Sequence, residues 1–329
     1  MLVLLSLAVA PGFAGDWNPR LAADYMDARQ KDWFAWPRAN QNATPCVSCH
    51  TNLTYLMARP MLRQALGESS PTKYETGLLD MLKSRVPTTD PKELYPKATG
   101  SFATQQVAVE AIFAAYFLTD SQEALDRMWR LQRADGTWDW NSASLDPWEM
   151  PESEYFGAAF GAIAASRERG SKFASNFVSL EKYIREGIEH QPMQNRLMAL
   201  WASSQRKDLL PKSAKATIAA DVYRAQQPDG GWTAASLGPF RDHPNAPPPQ
   251  GSNAYATAFT AFVLERAGVA KSDARLEHAL AWLRSHQNPE TGAWEALSFN
   301  KKYEPGSMQI QFMQDAATGY AVMALLDAK

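Results

Sequence analysis

Cysteine is scarce in this chain, with two residues in 329, and only five histidines accompany them. A zinc site would therefore need at least two further ligands from a sparse supply. Neither charge dominates: the formal net charge is −2, which gives no basic footprint for nucleic acid and predicts no such partner. Long apolar runs are missing too. The stretch from Leu2 to Ala10 is nine residues long, well short of the ~20 that cross a bilayer. It suits the apolar region of an export signal, and Gly12 and Ala14 stand where a signal peptidase reads small residues. A signal peptide over 1–14 and a mature start near Gly15 follow. No basic segment precedes the run, which points to a start codon elsewhere. No cysteine closely follows it, which argues against a lipid anchor. The expectation is an exported protein, periplasmic or otherwise outside the cytoplasm, with no stable membrane insertion.

What is present is concentrated. Both cysteines stand in the string Pro45-Cys46-Val47-Ser48-Cys49-His50-Thr51. This is CxxCH, the attachment sequence for haem c, in which two thiols add across neighbouring vinyl groups and the following imidazole becomes an axial iron ligand. A redox disulfide would not need His50. Half a zinc site would lack its other ligands, and coincidence is the remaining alternative. The reading taken is covalent haem c on Cys46 and Cys49, with His50 as the proximal metal ligand and the attachment loop at 45–51.

The 11 tryptophans expose a repeat. Gln132, Gly136 and Trp138 in LQRADGTW share their spacing with Gln226, Gly230 and Trp232 in QQPDGGW. Gln287, Gly292 and Trp294 in HQNPETGAW repeat it with one extra residue. Each copy follows an amphipathic helical stretch and precedes a helix that is apolar nearly all round, as a buried helix should be. With weaker copies included, inner helices are expected over 53–66, 103–117, 155–165, 194–203, 255–265 and 316–326. Outer helices are expected over 73–84, 123–131, 180–189, 216–225 and 276–284, with 20–34 from the N-terminus as the sixth. The fold expected is all-α, a single (α/α)6 toroid over 15–329 in which the N-terminal helix closes the ring. The repeats fasten this scaffold: Gly allows a positive φ, Gln satisfies carbonyls freed at a helix end, and Trp buries a flat face.

LQRADGTW, QQPDGGW and HQNPETGAW resemble the QW motifs of the squalene–hopene cyclase and prenyltransferase superfamily, and DAATGYAVMALL resembles its inner helices. The similarity runs from about Ser101 to the C-terminus and implies the toroid. It implies cyclisation less, because the chain departs from the pattern. The DxDD acid that protonates an alkene is missing, as is the DDxxD that binds diphosphate through magnesium. The length allows one toroid where full cyclases have two. Prenyltransferase β-subunits and lanthionine cyclases use cysteine-ligated zinc, and here both cysteines belong to CxxCH.

In such a ring the CVSCH turn lies at the same end as the Gln-Gly-Trp turns, at the mouth of the cavity. Helix N-termini there would favour haem propionates. The long loops 140–154, 233–254 and 295–313 share that end, so a distal ligand is sought in Met308 or Met313, with His243 in the loop RDHPNAPPP next and an open iron as the alternative. His190, His278 and His286 read as surface or capping residues. Asp146, Glu149, Glu152 and Glu154 form the one dense carboxylate group at the mouth, read either as general acid/base groups or as charge at a helix N-terminus. Tyr155, Phe156, Phe160, Tyr255, Phe259, Phe262 and Tyr320 would line an apolar interior or fill it. The leading expectation is a redox or electron-transfer protein with a periplasmic redox partner or a small apolar ligand. The rival is an isoprenoid-binding protein, or a cyclase-like enzyme without the DxDD acid. A polysaccharide lyase-like enzyme ranks last, since the interior is too apolar for sugar.

Overall fold

The computed structural model describes residues 17–40, 45–150, 152–168, 170, 172–240 and 251–327. The signal peptide expected over 1–14 and His243 in its proline-rich loop lie outside them. The described chain is all-helical, with no β-strand. In order, the helices are α1 (Pro19–Ala35), α2 (Asn52–Ala65), α3 (Lys73–Arg85), α4 (Pro91–Leu94), α5 (Phe102–Phe117), α6 (Gln122–Arg130), α7 (Ser153–Ala164), α8 (Ala174–Gly187), α9 (Met193–Gln205), α10 (Lys212–Arg224), α11 (Ala254–Arg266), α12 (Ala274–Ser285) and α13 (Phe312–Asp327). Each segment expected to be helical is helical, and α4 is an additional single turn. No described helix is long and apolar enough to cross a membrane.

Two kinds of helix alternate. The helix α7 buries eleven of its twelve residues, whereas α10 buries two of thirteen. The first kind (α2, α5, α7, α9, α11 and α13) packs side by side: α5 on α7, α7 on α9, α9 on α11, α11 on α13 and α13 on α2. The second kind lies against the first: α1 on α2 and α13, α3 on α2 and α5, α6 on α5, α8 on α7, α10 on α9, and α12 on α11 and α13. Burying a helix on all sides requires small residues where backbones approach. Gly319 of α13 meets Thr54 of α2, and Gly157 and Gly161 of α7 leave room for the rings of Trp140 and Trp138.

The Gln-Gly-Trp turns repeat atom by atom. The indole N–H of Trp138 donates to the Met128 carbonyl at 2.7 Å, that of Trp232 to Val222 at 2.8 Å, and that of Trp294 to Leu283 at 2.7 Å. The tryptophan, not the glutamine, thus satisfies the carbonyl freed at the preceding helix end. The glutamine reaches forward instead. Gln132 donates to the carbonyls of Gly136 and Asn176, Gln226 to those of Gly230 and Arg275, and Gln287 to those of Gly292 and Asn18. Each glycine holds φ between 79° and 95° and faces the backbone of Ser179, His278 or Leu21, where a Cβ would not fit. The third copy therefore binds the start of α1 as the first two bind the starts of α8 and α12, joining the last outer turn to the first helix.

The aromatic residues expected in the interior are all fully buried. Most fill it by touching one another: Phe259 lies 5.0 Å from Tyr320, Phe262 5.5 Å from Tyr320, and Trp201 5.0 Å from Phe262 and 5.8 Å from Phe160, between ring centres. Tyr155 turns outward instead, its hydroxyl donating to the Ile184 carbonyl of α8 at 2.7 Å.

Candidate functional site

Cys46, Cys49 and His50 occupy the connection between α1 and α2, and all three are buried. Backbone atoms of this connection are held individually. The Cys46 N–H donates to the Ala39 carbonyl, and the Cys46 carbonyl accepts from the Trp33 indole, both at 2.9 Å. Arg85 donates to the Pro45 carbonyl at 2.9 Å, Glu110 accepts the Val47 N–H at 2.9 Å, and Gln106 donates to the Val47 carbonyl at 3.0 Å. Arg85 and Glu110 form a buried ion pair, so this clamp from α3 and α5 satisfies its own charges. Asn52, the first residue of α2, accepts from the N–H and hydroxyl of Ser48 at 2.8 and 2.9 Å. Every residue from Pro45 to Ser48 is tied to the scaffold.

Burial sets the protonation of the three reactive groups. It pushes the Cys46 thiol up to about 12, with Glu110 adding and Arg85 opposing. It also holds the Cys49 thiol well above its ordinary range, with Glu149 adding. The His50 imidazole is pushed down to about 3 by burial and the nearby Arg29. At neutral pH the turn presents two uncharged thiols and an uncharged imidazole. A thiolate for zinc or for redox exchange would be a buried anion, whereas a thioether carries no charge and costs nothing to bury. The neutral imidazole is the form that ligates metal.

The His50 ring stacks on Phe312 at 3.9 Å and 22°, with the Trp33 ring at 5.6 Å and the Trp148 ring at 5.8 Å. Its Nδ1 lies 2.9 Å from Thr51 Oγ1. Beside it opens a cavity of about 590 Å³ lined by Cys46, Ser48, His50, Trp33, Trp36, Phe102, Leu145 and Phe312, and by the basic residues Arg38, Lys97 and Lys301. Ser48, Gln106, Asn141, Glu149 and Gln309 make the rest of this wall polar, so the parts that fit a flat macrocycle bearing two carboxylates are the rings of Trp33, Trp36, Phe102 and Phe312 and the cations Arg38, Lys97 and Lys301. Cys49 is not on this wall. Its sulfur lies 3.9 Å from Glu149 Oε1, and Glu149 is part of the wall.

The other expected site residues divide. Met308 lies in the turn Met308–Gln311, with its sulfur 3.2 Å from Arg29 Nη2. Met313 is buried inside α13, which begins earlier than expected because that turn feeds directly into it. The four carboxylates do not form one group. Glu149 lies beside Cys49, Asp146 is buried, Glu152 is exposed, and Glu154 pairs with Arg133 at 2.7 Å. Burial, opposed by Lys301, pushes Glu149 up to about 7. His190, His278 and His286 are exposed.

Residues that the motif did not disclose complete the site: Arg85 and Glu110 beneath Cys46, and Phe312, Thr51, Asp315 and Arg29 around His50. Glu110 carried a usable signal as the one charged residue of α5, and Asp315 a weaker one, as a carboxylate just before the apolar run of α13. The chain matches no protein-family model and no curated protein.

Proposed function

We propose that this protein is an exported carrier of covalent haem c, built on a single (α/α)6 toroid similar to that of the squalene–hopene cyclase and prenyltransferase superfamily, with a redox or electron-transfer role. The observation that carries the reading is the juxtaposition of Cys46 and His50, both uncharged and buried, on the wall of a cavity that also presents aromatic rings and basic residues. The toroid is supported by the packing of the buried helices in order from α5 round to α2, by α3 lying against both α2 and α5, and by Gln287 and Gly292 engaging the start of α1. Bound haem c supplies a one-electron iron centre. The chain's own residues would hold it: Cys46 and Cys49 through thioethers, His50 through its imidazole, and Arg38, Lys97 and Lys301 opposite the propionates. Phe312, Trp33 and Trp148 keep water from the imidazole. Met308 and Met313, the expected second ligands, do not line this cavity, and Met308 would have to give up Arg29 to serve. A periplasmic redox partner would meet the basic side of the cavity, where Arg38 and Lys97 are exposed.

Production in a strain that matures c-type cytochromes tests this. Haem staining should survive denaturing electrophoresis and should vanish when Cys46→Ala is combined with Cys49→Ala. Equal staining of the double variant would refute covalent attachment at this turn.

A further inference from the structure

We infer that Thr51 and Asp315 fix the tautomer of His50, holding its proton on Nδ1 so that Nε2 presents a lone pair to the iron. Thr51 and Asp315 are positioning residues in this scheme, and the role of the iron rests on the haem reading above. The chain of contacts is short and buried throughout. His50 Nδ1 is 2.9 Å from Thr51 Oγ1, and that hydroxyl is 2.8 Å from Asp315 Oδ2. His50, Thr51 and Asp315 are each no more than 4% exposed.

The direction of each bond follows from what Asp315 can do. Its Oδ1 accepts from Arg29 Nε and from the Tyr25 hydroxyl, both at 2.7 Å, and its Oδ2 accepts from Arg29 Nη2 at 3.1 Å. A carboxylate gripped by a guanidinium offers acceptors only. The single hydroxyl proton of Thr51 must then point at Asp315, which leaves lone pairs facing His50. Only a ring N–H satisfies them, so Nδ1 carries the proton. In a neutral imidazole the other nitrogen is then an acceptor, free to ligate. Isolated histidine prefers the opposite tautomer, so this arrangement selects the form that a metal ligand needs.

Two consequences follow. A hydrogen bond that leads to a carboxylate makes the imidazole a stronger donor, which stabilises oxidised iron and lowers the reduction potential; the charge of Arg29 moderates this. The relay also draws on α1 through Arg29 and Tyr25, on α13 through Asp315, and on the turn before α2 through Thr51. The imidazole is therefore set only when the two ends of the chain meet.

Thr51→Val removes the hydroxyl at nearly constant shape, and Thr51→Ser keeps it. In the haem-bearing protein, the midpoint potential should rise in Thr51→Val at unchanged haem content and return to the wild-type value in Thr51→Ser. An unchanged potential in Thr51→Val, with haem bound, would overturn the inference. Nitrogen-15 spectra of the full chain carrying Cys46→Ala and Cys49→Ala address the tautomer without iron. His50 should show the Nδ1–H form, and adding Thr51→Val should shift it toward Nε2–H. A proton on Nε2 in the Thr51-bearing chain would overturn the inference as well. If the chain takes up no haem at all, the functional reading fails, and the same spectra on the unaltered protein still decide the tautomer.

Discussion

Glu265 ends a turn of α11 beside Asp327 of α13, and burial together with that second carboxylate pushes it from 4.5 up to about 8. An unfolded chain would release this proton near 4.5, whereas the folded chain keeps it until about 8. The unfolded state therefore binds fewer protons between those values, and this residue subtracts stability as pH rises through that window. Glu265→Gln should flatten the fall in thermal midpoint between pH 5 and 8, and a slope equal to wild type would show that another group titrates. Such residues were not legible in advance. The motif singles out Cys46, Cys49 and His50 by spacing alone, and the fold buries all three. Glu110 stood out only as the one charge in α5, and Asp315 only as a charge ahead of the apolar body of α13, since their partners Arg85 and Arg29 are distant in sequence. Neighbouring carboxylates misled for the opposite reason: Glu149 and Glu154 are close in sequence, yet the start of α7 at Ser153 sends them apart.

The elements were readable almost throughout, because a helix buried on all sides and a helix buried along one stripe differ in composition. The Gln-Gly-Trp turns were readable as a repeat, but not their wiring, since the forward reach of glutamine depends on where the next outer helix starts. Trp232 is 1% exposed and holds the Val222 carbonyl, so Trp232→Ala should cost ~3–5 kcal/mol, as truncation of large buried aromatics does. Gly292→Ala should cost at least ~1–2 kcal/mol for its left-handed φ, and more because the added Cβ meets Leu21 of α1. Gly251→Ala is the control, with nothing within 4 Å of the added atom. Denaturant unfolding should rank the three in that order. A Gly292→Ala variant as stable as Gly251→Ala would show that the last turn does not grip α1.

Across the whole molecule, the meeting of the chain ends puts α1, the turn at Cys46–His50, α2 and α13 against one another. The loops before α7 and α13 arrive at the same place, with Trp148 from one and Phe312 closing the other around His50. Sequence periodicity placed these segments at one end but could not supply the cavity, because a cavity depends on which loop side chains turn inward. Nor could it show that Cys49 faces Glu149 while Cys46 and His50 face the cavity. The proposed redox role requires that this buried turn carry a haem. Intact-mass spectrometry of the matured, denatured protein measures that directly. The mass should exceed that of the processed polypeptide by one haem, and the excess should localise to the peptide that contains Cys46, Cys49 and His50. A polypeptide of unmodified mass with two free thiols, from cells that mature other c-type cytochromes, would contradict it.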